Sequence, residues 1–155
     1  MKKIIIFLSL AMFVFATTLS AQKATSFKPG EIWPDDKGKH INAHGGGILY
    51  HNNKYYWFGE HKGENSNSAL VGVTCYSSDD LYNWKNESVA LAVSDDTTSL
   101  IARGSVIERP KVIYNESTGK FVMYFHLEVR GRGYSAAYAG RAVSDNVTEI
   151  GRAHV

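Results

Sequence analysis

Cysteine is almost absent: Cys75 is the one thiol in 155 residues. A single cysteine cannot close an intrachain disulfide, so the fold has to rest on buried apolar surface. Cys75 lies in the run Val71-Gly72-Val73-Thr74-Cys75-Tyr76, which suits a small buried residue better than a nucleophile. Net charge is also scarce. Lys+Arg number 17 and Asp+Glu 15, so nothing calls for nucleic acid or an anionic membrane as partner. No apolar run is long enough to span a membrane; the longest, Ile4 to Phe15, is too short. Helical periodicity is missing as well, with no long stretch carrying apolar residues at i, i+3, i+4 and i+7.

What is present divides into three parts. Residues 1–21 form a secretory signal peptide, with Lys2 and Lys3 as the charged start, Ile4 to Phe15 as the apolar segment and Leu19-Ser20-Ala21 as the cleavage site. The protein is therefore expected to be secreted or periplasmic, beginning at Gln22. Without the two leader lysines, its basic and acidic residues balance. Residues 22–148 are long enough for one small domain. Residues 149–155, Glu-Ile-Gly-Arg-Ala-His-Val, follow a β run without a closing pattern and coincide with the in-frame translation of a common sequencing-library adapter. They are expected to be a foreign tail and carry no weight in the fold expectation, with the native gene continuing beyond Thr148.

The central part is all-β by pattern. Strands are expected at 47–50, 54–59, 71–77 and 84–93, and again at 110–114, 120–129 and 135–143, separated by Asx-, Ser- and Gly-rich turns. The segments also repeat. Gly47 to Phe58 resembles Lys111 to Phe125, and Tyr76-Ser77-Ser78-Asp79-Asp80 resembles Ala142-Val143-Ser144-Asp145-Asn146. A period of about 65 residues with three or four strands per unit suggests propeller blades. The second unit stops before its fourth strand, so the chain is expected to hold the first two blades of a truncated five-bladed β-propeller. Such a chain leaves an unpaired edge.

Several stretches could carry chemistry. Pro110 cannot donate a ladder hydrogen bond, so it belongs at a strand start or on an edge. That puts Glu108 and Arg109 at a strand mouth, as a binding pair or as a surface ion pair. Glu60 ends the run Tyr55 to Gly59, at a strand mouth in the corresponding half of the repeat, either as a funnel residue or as a solvated charge. The glycines in His40-Ile41-Asn42-Ala43-His44-Gly45-Gly46-Gly47 allow close backbone approach to a ligand. They exclude a helix, so His40 and His44 are not a zinc pair. No phosphate-loop pattern follows a strand. Arg130-Gly131-Arg132-Gly133-Tyr134 is too weakly basic for RNA binding, and a glycine-hinged Tyr134 suits stacking on a sugar ring. Asn65 to Ser68 reads as a polar rim loop. Asp79-Asp80 and Asp95-Asp96 read as turn caps.

In order along the chain, His-Ile-Asn-Ala-His-Gly-Gly-Gly-Ile-Leu, Tyr-Tyr-Trp-Phe-Gly-Glu-His-Lys, Cys-Tyr-Ser-Ser-Asp-Asp-Leu-Tyr-Asn-Trp and Glu-Arg-Pro-Lys-Val-Ile-Tyr-Asn resemble glycoside hydrolase family 43, in the branch of the galactan 1,3-β-galactosidases. The resemblance runs from Ile32 to Val143. It implies a five-bladed propeller with a central site, and inverting hydrolysis of a β-linked sugar in plant polysaccharide side chains by two carboxyl groups. It implies sugar contact by Glu60, Glu108 and Tyr134, with Arg109 beside them and His44 among the substrate-binding candidates. Glu108 takes a supporting catalytic role. The first-blade aspartate base is absent here, as in that branch. The general acid and the base-like residue fall beyond Val155 in the family, so the chain as written is expected to be inactive. No metal or cofactor is implied at the site, although a structural calcium in a complete propeller remains compatible with the family. The partner is a poly- or oligosaccharide. The alternative is a carbohydrate-binding propeller without catalysis.

The leader carries a direct test. N-terminal sequencing of exported protein should begin at or near Gln22, whereas a leader retained on a cytosolic product would contradict the assignment.

Overall fold

The structure, a computed structural model, describes residues 23–64, 66, 68–151 and 153–154. The signal segment lies outside these residues, as do Asn65 and Asn67 of the polar insertion. Eight strands form two antiparallel sheets, each in simple sequence order. The first holds β1 (His44–His51), β2 (Lys54–Glu60), β3 (Gly72–Ser78) and β4 (Lys85–Ala92); the second holds β5 (Val106–Asn115), β6 (Lys120–Glu128), β7 (Tyr138–Ser144) and β8 (Ala153–His154). No helix among the described residues is long and apolar enough to cross a membrane.

Turn chemistry sets the hairpins. Asn52 and Asn53 have φ of 50° and 60° between His51 and its partner Lys54. Two left-handed residues in a two-residue loop match the right-handed twist of the flanking strands, and asparagine tolerates that conformation. Between β5 and β6 the turn is longer, and the Asn115 Oδ1 accepts the Ser117 N–H at 3.1 Å. The aspartate pairs do cap turns. Asp80 takes the N–H groups of Tyr82 and Asn83 at 2.9 and 2.8 Å, and the Asn83 N–H above all holds its carboxyl down at about 2. Asp96 accepts the Thr98 N–H at 2.9 Å.

Alternation decides which faces meet. On β6, Phe121, Met123, Phe125 and Leu127 point one way and are buried, while Tyr124 points the other way and is exposed. The buried set joins Phe58, Val73, Cys75, Ala90 and Leu91 of the first sheet in one core. Two sheets therefore pack face to face as adjacent blades, each large buried side chain contributing about 1.5–3 kcal/mol. Burial pushes the Cys75 thiol well up, which keeps it protonated and inert. β3 is buried along its whole length because the other face of its sheet is also covered. There Ile41, Ala43, Tyr76 and Trp84 pack with Trp33, Tyr55 and Trp57. The covering segment is tied down by the Trp33 indole N–H, donated to the Tyr82 carbonyl at 2.9 Å. Asp35 fastens it further by accepting the Asn86 side-chain N–H from β4 at 3.0 Å, and shapes its own turn by accepting the Lys37 and Lys39 N–H groups.

One expectation is corrected. The second unit does not stop at three strands: Ala153 and His154 pair with Ala142 and Arg141 as a short fourth. The chain just before them also reaches the core. Ile150 is fully buried in the core, and its N–H donates to the Ala90 carbonyl at 2.7 Å. An apolar side chain just past the Asn146 turn finds open core surface beside β4, and burial of that area is favourable whatever its origin.

Close approach leaves no room at Gly59. A Cβ there would lie 2.1–2.4 Å from the Ala43 backbone. Gly59→Ala must separate β2 from the covering segment and should cost about 1–3 kcal/mol or more. Gly63→Ala meets nothing nearer than Leu70 at 3.7 Å and serves as control. Urea unfolding followed by tryptophan fluorescence reads both; an unchanged midpoint for Gly59→Ala would contradict the packing described.

Candidate functional site

β1 and β5, the first strands of the two sheets, pack against each other. At one end of this seam the His51 ring meets Tyr114 at 4.5 Å and Phe121 at 5.0 Å. Nearer the middle, the Lys111 ammonium donates to the Gly46 carbonyl. At the other end both strands carry an irregularity with one extra residue. On β1 it falls between His44, paired with Glu60, and Gly47, paired with Phe58. On β5 it falls between Glu108, paired with His126, and Lys111, paired with Tyr124. These are β-bulges, which re-aim side chains at the rims of sheets.

The bulges are equivalent but not identical in sequence. Gly45 has φ 55° and Arg109 has φ 52°. Glycine adopts that conformation freely, whereas an L-residue with a long side chain gives up about 1–2 kcal/mol there. The cost falls on the residue that Pro110 follows, and Pro110 sits within an edge strand at the bulge, one of the places where a missing N–H breaks no ladder bond. A Cβ on Gly45 would come within 3.3 Å of the Glu60 carboxylate and 3.7 Å of the Arg109 side chain, so this end of the seam brings both blades' candidates together.

Register fixes which residues of the two blades correspond. Glu60 and Glu108 are not counterparts. Glu60 ends the second strand of its sheet and is matched in the other by His126; Glu108 lies on a first strand and is matched by His44. Each blade thus opens its bulge with one histidine and one glutamate, in opposite order. The sequence repeat carries the same match: Tyr50 to Tyr114 and His44 to Glu108 are both 64 residues apart, and Lys54 to Lys120 and Glu60 to His126 are both 66.

Glu108 is buried and accepts the Tyr134 hydroxyl at 2.8 Å. That bond, first of all, raises the Tyr134 phenol above its ordinary value, helped by desolvation and by the charges of Glu108, Glu60 and Glu128. The Tyr134 ring stacks over His126 at 6.2 Å and otherwise faces solvent. Glu60 is also buried and pairs with Lys62 at 3.4 Å. Desolvation raises its carboxyl above the usual range and the Glu108 charge adds to this, against the pull of Lys62 and Arg109. The expectation that Arg109 pairs with Glu108 is not met: Arg109 is exposed, its charge acts on Glu60, and Tyr134 is the group bonded to Glu108. His44 stands across the ladder from Glu60. Desolvation, together with the charges of Lys62, His40 and His61, lowers its imidazole and favours the neutral ring.

The supporting shell includes residues not singled out from the sequence. The Asn42 carboxamide bonds the Lys62 backbone both ways at 2.9 Å, standing in for a strand pair. Its own carbonyl accepts the Thr74 hydroxyl at 2.6 Å. Deeper lies Glu128, only 1% exposed. Desolvation pushes its carboxyl up, but the Ala137 and Ala136 N–H groups and His126 outweigh it, and the net direction is down. A charged residue inside Phe125-His126-Leu127-Glu128-Val129, just before a glycine-rich loop, was the available signal. Among the described residues no group of three or more His, Cys, Asp or Glu is arranged to hold a metal ion. The site offers carboxylate acceptors, a phenol and a basic margin, which suits a neutral polyhydroxylated ligand.

Glu60 gives a prediction whose sign follows from its environment. Its folded value lies above the ordinary 4.5, so ionisation opposes folding as pH rises through that value, and the penalty is absent below 4.5. Glu60→Gln should therefore melt above wild type at about pH 7, with the gap closing below about pH 4.5. A lower melting temperature at neutral pH would mean that the Lys62 pair outweighs desolvation.

No protein-family model matches the sequence, and no curated protein does. Solved structures do. A GH43 β-1,3-galactosidase with galactodeoxynojirimycin is 54% identical over 80% of this chain, with a TM-score of 0.77. An exo-β-1,3-galactanase from Phanerochaete chrysosporium, solved with β-1,3-galactotriose, is 39% identical over 78%, with a TM-score of 0.71. The exo-β-1,3-galactanase of Clostridium thermocellum is 39% identical over 80%, with a TM-score of 0.68. The chain spans 37%, 27% and 26% of these three proteins respectively. Its two sheets are blades of their five-bladed propeller. By fold, identity and ordered motifs, the chain belongs to glycoside hydrolase family 43, in the β-1,3-galactosidase and exo-β-1,3-galactanase branch.

Proposed function

We propose that this chain carries the substrate-holding part of a secreted glycoside hydrolase that removes β-linked galactose from plant polysaccharide side chains. The observation that carries the reading is the Glu108–Tyr134 pair set beside Glu60 at the blade seam. Two buried carboxylates from different blades, with an aromatic hydroxyl at their edge, form an acceptor-rich wall for sugar hydroxyls. Structures that share this segment are β-1,3-galactosidases and exo-β-1,3-galactanases.

In this reading Glu60 and Glu108 accept hydrogen bonds from hydroxyls of the galactosyl unit. Tyr134 borders that unit and fixes the rotamer of Glu108 through its 2.8 Å bond. Arg109 bonds a hydroxyl, and its strained backbone aims its exposed side chain away from Glu108. Neutral His44 offers one donor and one acceptor on the first-blade side. As charge develops at the anomeric carbon, the fixed negative charge of Glu108 stabilises an oxocarbenium-like transition state. Proton donation to the leaving oxygen falls to a carboxylic acid that the family places beyond this segment, with inversion at the anomeric carbon. The reading calls for no cofactor.

The test is Glu108→Gln in an enzyme carrying this segment, because it keeps the shape and removes the charge. kcat/KM on β-1,3-galactan and on an aryl β-galactoside should fall by roughly a hundredfold or more. The thermal melt should stay close to wild type. Unchanged kinetics would leave Glu108 a structural residue, and sugar binding without turnover in the wild type would favour a carbohydrate-binding propeller.

A further inference from the structure

We propose that Glu128 is a positioning residue for this site: its buried carboxylate latches the loop between β6 and β7, and so sets where the Tyr134 hydroxyl meets Glu108. The inference rests on the reading of Glu108 and Tyr134 as sugar-holding groups, and it deepens that reading.

The loop has little to hold it apart from this latch. Gly131, Gly133 and Ala137 have φ of 79°, 58° and 48°, and residues 130–135 are exposed or nearly so. Its own bonds are local: Arg132 N–H to the Val129 carbonyl at 3.1 Å, and the Ser135 hydroxyl to the Arg132 carbonyl at 2.7 Å. At its start, the Arg130 N–H donates to the Ser105 hydroxyl at 3.2 Å. At its end, the tie is Glu128. One carboxylate oxygen accepts the Ala136 N–H at 2.8 Å, and both oxygens lie 3.1 Å from the Ala137 N–H. A buried carboxylate bonded to two successive backbone N–H groups is a strong, charge-assisted anchor. It fixes the backbone two residues after Tyr134, and Ala137 is held in the left-handed region there.

The same carboxylate also orients the ring beneath Tyr134. The His126 Nε2 lies 3.0 Å from the Glu128 Oε1, and the imidazole stacks with the Tyr134 ring. Glu128 thus reaches Tyr134 by two routes, through the loop backbone and through the His126 plane. Both end at the 2.8 Å bond from the Tyr134 hydroxyl to Glu108. A carboxylate kept only to fill space would need neither.

The test uses Glu128→Ala and Glu128→Gln beside the wild type. Glutamine keeps a carbonyl oxygen that can reach both N–H groups, but it removes the charge and puts an NH2, which cannot accept, where the second oxygen meets the Ala137 N–H and His126. Two readouts need no sugar. Tryptic cleavage after Arg130 and Arg132 reports opening of the loop, and the titration of 13C-labelled Tyr134, assigned through Tyr134→Phe, reports its bond to Glu108. Loss of the latch should speed loop cleavage by about tenfold or more, the scale of one anchoring interaction lost to local opening. The Tyr134 phenol should return toward its ordinary titration, with Glu128→Gln between Glu128→Ala and wild type. If Glu128→Ala does not fold, the Glu128→Gln shift in both readouts decides alone. Wild-type cleavage and wild-type Tyr134 titration in a folded variant would overturn the proposal. Galactose titration of the same samples separates the two ideas. A moved Tyr134 with no sugar binding in the wild type leaves the latch standing and removes the sugar reading. Sugar binding with an unmoved Tyr134 does the reverse.

Discussion

Everything at this site depends on the close passage of β1 and β5. Two first strands from neighbouring sheets run past each other, pinned at one end by the His51, Tyr114 and Phe121 rings and bulged at the other. β1 carries three consecutive glycines here: Gly45 takes a positive φ, a Cβ on Gly46 would strike the Phe58 carbonyl of β2, and one on Gly47 would meet the Lys111 side chain of β5. β5 resolves the same constraint differently, with Arg109 in a left-handed conformation followed by a proline that has no N–H to lose. Glu108 flanks the bulge on β5 and Glu60 pairs with His44 beside the bulge on β1, and the two sense each other's charge although they come from different sheets.

Three glutamates within this small region show how environment assigns the role. Glu60 is desolvated and only partly compensated by Lys62, so its ionised form is held at a cost, as is common where a group is kept for binding. Glu128 is buried at least as deeply, yet two backbone N–H groups and a histidine turn the balance toward the carboxylate. Glu108 takes one bond, from a tyrosine on a glycine-hinged loop. Charge complementarity alone would not separate these roles. The number of donors aimed at each carboxylate does.

Much of the fold was legible because its signals are local. Paired asparagines marked a tight hairpin, alternation along Phe121 to Leu127 marked a half-buried strand, and the recurrence of Tyr-His-Asn-Asn and Tyr-Asn-Glu-Ser marked a repeat. Pro110 pointed to an edge position and Cys75 to the core, and both stand there. The match of His44 with Glu108 and of Glu60 with His126 lay in the spacing as well, at 64 and 66 residues, because both blades carry the bulge. Adjacent strand residues point to opposite faces, which already sets Arg109 apart from Glu108. What stayed hidden is which group bonds Glu108, since Tyr134 reaches it from a distant loop. Glu128 escaped notice because a single charge at a strand end usually faces water, and only the loop folding back over it makes it buried. The fate of Ile150 was invisible for a simpler reason: a core accepts any apolar side chain that reaches it.

The account's central claim is that the seam between the two sheets is a galactosyl site. A crystal structure of this protein with galactodeoxynojirimycin tests it most directly. The account predicts the ligand ring at the bulged end of the β1–β5 seam, with its hydroxyls about 2.6–3.2 Å from the Glu60 and Glu108 carboxylates and Tyr134 at its edge. A ligand seated on another face, or an empty seam at saturating concentration, would contradict it.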